Sequence, residues 1–387
     1  MNILVNGMPL LAPLTGVGQY IRHLFTAMDK HADVNVHMHY GTHCERGMRL
    51  PSAGTTQVAQ RTYGLVRRFL PRPRSIKNML ERAMFKYHSS KVDSLDLYHE
   101  PNFVPKPFNG PLVLTVHDLS CFDHPETHPV ERVRLMQRDM PSAIEKADHI
   151  IVVSDATGEA LRRCFNVDPA LITTTYLAAD PRFQPSGSEA LAPFLSSLGV
   201  TPGGYILSVG TLEPRKNLPT LFAAYAGLPT ALRQRFPLVV AGMKGWGTEG
   251  LMKSAETLVQ RGELRLLGYV PDKSIPPLYA GAAAFCYPSR YEGFGLPVLE
   301  AMASGVPVLT SNRTSLPEVV GDAGVMVDPD DVDGMREHLQ RLLEDRAYAD
   351  ELGRRGQVRA QTFSWERCAH ETVSVYHKVM LQRGCKL

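Results

Sequence analysis

Short apolar runs alternate with longer stretches of helical periodicity along the whole chain, and that alternation calls for parallel sheets joined by helical crossovers. The expected strands are residues 3–6, 34–39, 95–99, 112–116 and 149–153 in the first half. In the second half they are 205–209, 238–241, 264–267, 283–287, 306–310 and 324–327. Stretches 19–28, 221–228, 251–260 and 332–343 carry helical spacing between them. A chain of 387 residues exceeds one ordinary core and suits two domains of about 150–200 residues. Residues 180–202, rich in proline and without a clear strand, read as the linker, with a short helix at 191–198. The expected α/β domains are therefore 1–183 and 184–365. A final helical pattern at 365–381 follows no strand, so 366–387 is expected to cross back and brace the first domain.

Composition narrows the function. A net charge of +3 with 21% charged residues points in bulk to neither nucleic acid nor a membrane. Six widely spaced cysteines without a C-x-x-C pair speak against a zinc site or a disulfide scaffold and suit a reducing compartment. The N-terminal residues begin a strand at once and lack a signal-peptide pattern, and no apolar stretch approaches the ~20 residues of a membrane span. A cytoplasmic protein, at most peripheral on a membrane surface, is expected.

The strongest motif runs from Tyr287 to Val308, a buried strand entering a glycine-rich loop and then a helix with Pro297 at its start. Backbone N–H groups of Gly295 and Leu296 at a helix N-terminus form an anion site, at the carboxyl end of a strand where open α/β sheets bind ligands. Glu292 and Glu300 flank the loop, each able to accept hydrogen bonds from sugar or ribose hydroxyls; either alone reads equally well as a solvated carboxylate. After strand 205–209 come Arg215 and Lys216, cations that can stabilise a departing diphosphate, although most Arg-Lys pairs are solvated surface residues. His117-Asp118 ends strand 112–116, where a histidine is as often structural as functional. Gly16 and Gly18 open the first crossover, either as a plain βα turn or as a loop that lets backbone approach a ligand. Val270, after strand 264–267, and Ser154, after 149–153, are ordinary loop residues or cleft residues at even standing.

The run E-G-F-G-L-P-V-L-E-A-M-A-S-G-V-P-V resembles the signature of glycosyltransferase family 4, in which two glutamates separated by seven residues bracket the donor site. The other motifs follow in that family's order over nearly the whole chain. The resemblance implies a GT-B fold, two Rossmann-like domains facing across a cleft, with retention of anomeric configuration and no metal or other cofactor. It implies that Glu292 holds the transferred sugar and Glu300 the ribose, while the Gly295 and Leu296 amides with Lys216, and less securely Arg215, meet the diphosphate. His117 then lies at the reaction centre through its side chain or carbonyl, Val270 borders the base, and Gly16 and Gly18 face the donor. Many relatives have arginine where this chain has Thr211, which weakens the part given to Arg215. The stretches around His117, Lys216 and 311–324 look most like bacterial mannosyl- or rhamnosyltransferases of O-antigen and lipopolysaccharide assembly. Those commonly take GDP-mannose or a related GDP-sugar and a glycan or lipid-linked saccharide acceptor. A UDP-sugar transferase and a binding protein that has lost catalysis are the alternatives.

Residues 61–91 carry nine basic residues against Glu81 and little else acidic. Ile76, Met79, Leu80, Ala83, Met84 and Tyr87 recur there at helical spacing. This reads as a helix lying on anionic lipid or as one packed on the sheet with a solvated basic face.

Overall fold

The computed structural model describes residues 1–11, 16–41, 43–49, 73–92 and 94–384. Seven strands form the first sheet: β1 (Asn2–Asn6), β2 (Asn35–His39), β3 (Cys44–Arg46), β4 (Leu97–Glu100), β5 (Leu112–Val116), β6 (His149–Val152) and β7 (Ile172–Thr174). Their spatial order is β3-β2-β1-β4-β5-β6-β7, parallel except for β3, which turns back antiparallel on β2. Six strands form the second: β8 (Ile206–Val209), β9 (Leu238–Ala241), β10 (Leu264–Gly268), β11 (Ala284–Tyr287), β12 (Val308–Ser311) and β13 (Val325–Val327). They run parallel in the order β10-β9-β8-β11-β12-β13.

Helices cover the sheets, so strands such as Leu112–Val116 and Leu238–Ala241 are buried at every residue. That is why they read as continuous apolar runs instead of alternating ones. Strand order reverses between β1 and β4 and again between β8 and β11, and such switch points open crevices at the strands' carboxyl ends.

Helix Trp365–Gln382 crosses back, as expected, and packs along helix Gly16–Met28 of the first half. Trp365 stacks on His23 with ring centroids 5.2 Å apart, and Tyr376 OH meets His99 Nδ1 at 2.6 Å in the buried core. The linker contains helix Ser188–Ser197. No helix among the described residues is long and apolar enough to cross a membrane.

Two expectations change, and some elements were not expected. Gly16 and Gly18 lie within the first turn of helix Gly16–Met28 and Gly18 is buried, so they are not a free glycine loop before a helix starting at 19. The short strands β3 and β7 and the helix Arg346–Ala360 had no expectation at all. The basic segment divides: residues 61–72 lie outside the described residues, and Pro73–Ser89 is a helix. Its inward anchor is Phe85, fully buried with Leu4, Tyr98 and Leu112, whereas Met79, Ala83 and Tyr87 of the expected apolar stripe are exposed.

Candidate active site between the two sheets

Because β8 and β11 are neighbours, the segments leaving their carboxyl ends lie side by side, and Glu292 joins them. Lys216 Nζ donates to Glu292 Oε1 at 2.7 Å and to Tyr287 OH at 2.5 Å. Arg215 Nη1 donates to Glu292 Oε2 at 2.9 Å, and Ser289 Oγ donates to Oε1 at 2.6 Å. Burial alone would raise the Glu292 pKa, but the Arg215 and Lys216 charges outweigh it and hold the carboxyl down at about 2. Burial, reinforced by Arg215, pulls Lys216 below the ordinary ammonium range.

The two cations differ in how much of the protein they hold. Arg215 also donates to Glu213 Oε1 through Nε and Nη2 and to the Tyr291 carbonyl, so four of its contacts are to the protein itself. Lys216 makes two, and an ammonium has three donors. A guanidinium has five donors, so each cation keeps one for an anion, but Arg215 is the one tied to three protein groups and positions Glu292.

Gly295 starts the helix Leu296–Ala303 at φ +111°, and a β-carbon there would lie 2.7 Å from Leu316 Cδ2, so only glycine fits. Val298 and Leu299 donate back to the Gly295 carbonyl, while the first-turn amides of Gly295 and Leu296 have no acceptor within the helix. Glu300 is half-buried beside Tyr279, and burial pushes its carboxyl up to about 8. Val270 is partly buried at the base of the neighbouring loop. In that loop Asp272 accepts from Gln19 Nε2 at 3.2 Å and pairs with Arg182 at 2.9 Å, which ties the glycine-containing helix start to the second sheet.

Across the cleft, His117 is boxed edge-on by Tyr20 and Phe103, with ring centroids 4.9 and 5.7 Å away. Its Nε2 lies 2.8 Å from the Pro101 carbonyl, which can only accept, so Nε2 carries the proton. Burial keeps the ring neutral by lowering its pKa, leaving Nδ1 as an acceptor. Asp118 accepts from the Ser120 amide and hydroxyl at 3.0 and 2.7 Å; the Arg215 charge from the other half overcomes its burial and keeps it ionised. Ser154 does not reach into the crevice: it is a buried N-cap for helix Asp155–Phe165, accepting from Thr157 N at 3.1 Å.

The halves touch at several points that sequence reasoning missed. Thr157 Oγ1 lies 3.4 Å from the His117 carbonyl and 3.3 Å from that of Gly293. Trp246 Nε1 donates to the Thr127 carbonyl at 2.6 Å. Within the second half, Thr314 Oγ1 accepts from Glu292 N at 3.0 Å, and Ser315 Oγ donates to the carbonyls of Glu292 and Phe294 at 3.0 and 2.9 Å. No group of His, Cys, Asp and Glu able to hold a metal occurs among the described residues.

Comparison with known proteins bears on the family and the fold. Residues 14–183 match the family model "Glycosyltransferase Family 4", and residues 199–359 match "Glycosyl transferases group 1". O-antigen chain mannosyltransferase B of Escherichia coli is 37% identical over 384 residues, covering 97% of this chain and 99% of that protein. Among solved structures, sucrose-phosphate synthase from Thermosynechococcus elongatus superposes with a TM-score of 0.75 at 22% identity, covering 98% of this chain and 99% of that one. HepE of Anabaena, solved with UDP-glucose, superposes with a TM-score of 0.71 at 17% identity, covering 98% of this chain and 100% of that one.

Proposed function

The chain belongs to glycosyltransferase family 4 and has the GT-B fold, and from that premise we propose that it moves a mannosyl residue from GDP-mannose to a saccharide acceptor in O-antigen assembly, with retention of configuration. The likeness to an O-antigen mannosyltransferase along both full lengths carries the choice of sugar and pathway. A GDP-linked deoxymannose is the variant of this reading closest to it.

In this reading the sugar lies between His117 and Glu292. The neutral His117 Nδ1 accepts from one sugar hydroxyl, and Glu292, with both oxygens held by Arg215, Lys216 and Ser289, accepts from another. The bond from the anomeric carbon to the diphosphate oxygen breaks on the face where the acceptor hydroxyl attacks. The departing diphosphate takes the acceptor's proton. Its growing charge meets the spare donor of Lys216 and the open amides of Gly295 and Leu296, which stabilise the transition state more than the ground state. Glu300 accepts from the ribose hydroxyls and the Val270 backbone borders the base. Because these groups supply the positive charge, turnover is expected to persist in EDTA.

Thermal-shift measurements with GDP-, UDP-, ADP- and dTDP-sugars, followed by nucleoside diphosphate release and NMR of the product anomer, test the reading. Preferential stabilisation by UDP overturns the donor, an inverted product overturns retention, and binding without release makes the chain a nucleotide-sugar-binding protein.

We also place the acceptor at the cytoplasmic face of the inner membrane. Support comes from helix Pro73–Ser89, where exposed Met79, Ala83 and Tyr87 share an outward surface with Arg82, Lys86 and Lys91. Apolar side chains edged by cations suit an anionic lipid surface.

A further inference from the structure

Helix Asp155–Phe165 belongs to the first sheet, yet its exposed first-turn amides are held by a side chain of the second half. Glu318 Oε2 accepts from Asp155 N at 2.8 Å and Oε1 accepts from Ala156 N at 2.7 Å. The third amide, Thr157 N, goes to Ser154 Oγ, so this helix start is satisfied only with the two halves together. Glu318 makes no ion pair among the described residues, although it is half-buried and burial raises its pKa. Its carboxylate is committed to those two amides and to the positive end of that helix.

The position of Glu318 links it to both sides of the reaction centre. On its own side it sits one turn beyond Thr314 and Ser315, which hold the backbone of Glu292 and Phe294. On the other side, the helix it grips presents Thr157, whose hydroxyl reaches the carbonyls of both His117 and Gly293. A continuous path therefore runs from the Glu292 loop through Thr314, Ser315 and Glu318 to Thr157 and His117.

We propose that Glu318 is a closure-dependent positioning residue: by capping a helix of the opposite half, it sets the His117 carbonyl against the Glu292 loop and assembles the reaction centre. Glu318 touches neither substrate in this scheme and acts through Thr157 and the Glu292 loop. Loss of registration of about 1 Å between reacting groups is enough to cost about a hundredfold in rate. The inference rests on the glycosyl-transfer reading, and its first measurement is independent of turnover.

The test uses the full chain with Glu318→Ala and Glu318→Gln. Hydrogen–deuterium exchange on the ligand-free protein should show Asp155 and Ala156 amides exchanging at least tenfold faster in Glu318→Ala, with the strand amides of β5 and β11 unchanged. Small-angle scattering should show a larger radius of gyration for that variant. With GDP-mannose, kcat should fall about a hundredfold while the donor KM changes less than threefold, and Glu318→Gln, which keeps one carbonyl acceptor, should recover part of kcat. Unchanged exchange at Asp155 and Ala156 overturns the contact. Faster exchange with unchanged kcat overturns the positioning role. Global loss of protection in Glu318→Ala, without partial recovery of kcat in Glu318→Gln, makes the residue purely structural and overturns the inference as well. A wild-type chain that shows the exchange difference but turns over no nucleotide sugar fails the proposed function instead.

Discussion

A β-carbon on Gly293 would sit 1.8 Å from the carbonyl oxygen of His117, far inside van der Waals contact. The nearest atoms are backbone, so no side chain can move aside, and the two halves can meet here only around glycine. Gly293→Ala is expected to fold normally, with Tm within a few degrees of the parent, because the clash lies between domains rather than within one. Turnover should fall at least about a hundredfold through lost registration of reacting groups. Wild-type activity in this variant would show that catalysis does not use the closed arrangement.

Lys216 and Arg215 are neighbours with different duties, and alanine variants should separate them. Lys216→Ala removes one spare donor, so kcat should fall about 10²–10³-fold, the range for loss of one transition-state donor, while Glu292 keeps Arg215 and Ser289 and Tm falls less than in Arg215→Ala. Arg215→Ala strands Glu213 as a buried carboxylate, whereas Glu292 keeps Lys216 and Ser289, and should cost about 3–5 kcal/mol of stability. Activity assays and thermal melts on the same preparations check both; equal effects on stability would contradict the division.

Glu300 gives nucleotide binding a pH dependence of known sign. Its carboxyl, pushed up to about 8 by burial, is largely protonated at pH 7 in the free protein, whereas ribose hydroxyls donate to the ionised form. GDP should therefore bind more tightly as pH rises from 7 to 9, by up to about tenfold as the ionised fraction grows. Phosphate ionisation, with a pKa of about 6, is complete over that window and does not confuse the trend. The facing groups are Tyr279, Asp180, Asp272 and Arg182. Calorimetric titration of Glu300→Gln should show the slope flattened. The same shift acts on folding: the native state holds the proton more tightly, so this group's contribution to stability is present below about pH 4.5 and is lost as pH rises through 8.

Co-sedimentation with liposomes should separate apolar from electrostatic membrane contact. Met79→Asp with Tyr87→Asp should abolish binding to anionic vesicles outright, since both side chains are exposed and neither supports the core. Arg82→Glu with Lys86→Glu should weaken binding in a salt-dependent way. A parent protein that does not bind anionic vesicles removes the membrane reading altogether.

Much of the sheet architecture was readable because parallel strands such as Leu112–Val116 are buried on both faces and stand out as apolar runs. The three-residue strands β3 and β7 are too short to show any period. Helix Arg346–Ala360 has few large apolar residues because Gly353 and Gly356 make its close contact, Gly353 against the Gly305 carbonyl and Gly356 against Met302. In the site, the motifs of Glu292, Lys216 and Arg215 were visible, but their mutual pairing was not, since the partners lie 76 and 77 residues apart. Glu318 and Asp155 are 163 residues apart, and nothing local marks either as the other's partner. In helix Pro73–Ser89 periodicity did not single out Phe85, which lies outside the stripe of Met79, Ala83 and Tyr87 and is the residue that packs inward on Leu4, Tyr98 and Leu112.

The returning helix has a consequence for how the chain is made. Trp365, Val373, Tyr376 and Val379 cover Tyr20, Phe25 and His99, so a face of the first sheet's domain stays open to water until residues 365–382 have left the ribosome. The half built around the first sheet is completed only after the second has been synthesised. A nascent chain stopped before residue 365 should carry an apolar surface that invites chaperones, and release of helix Trp365–Gln382 closes it.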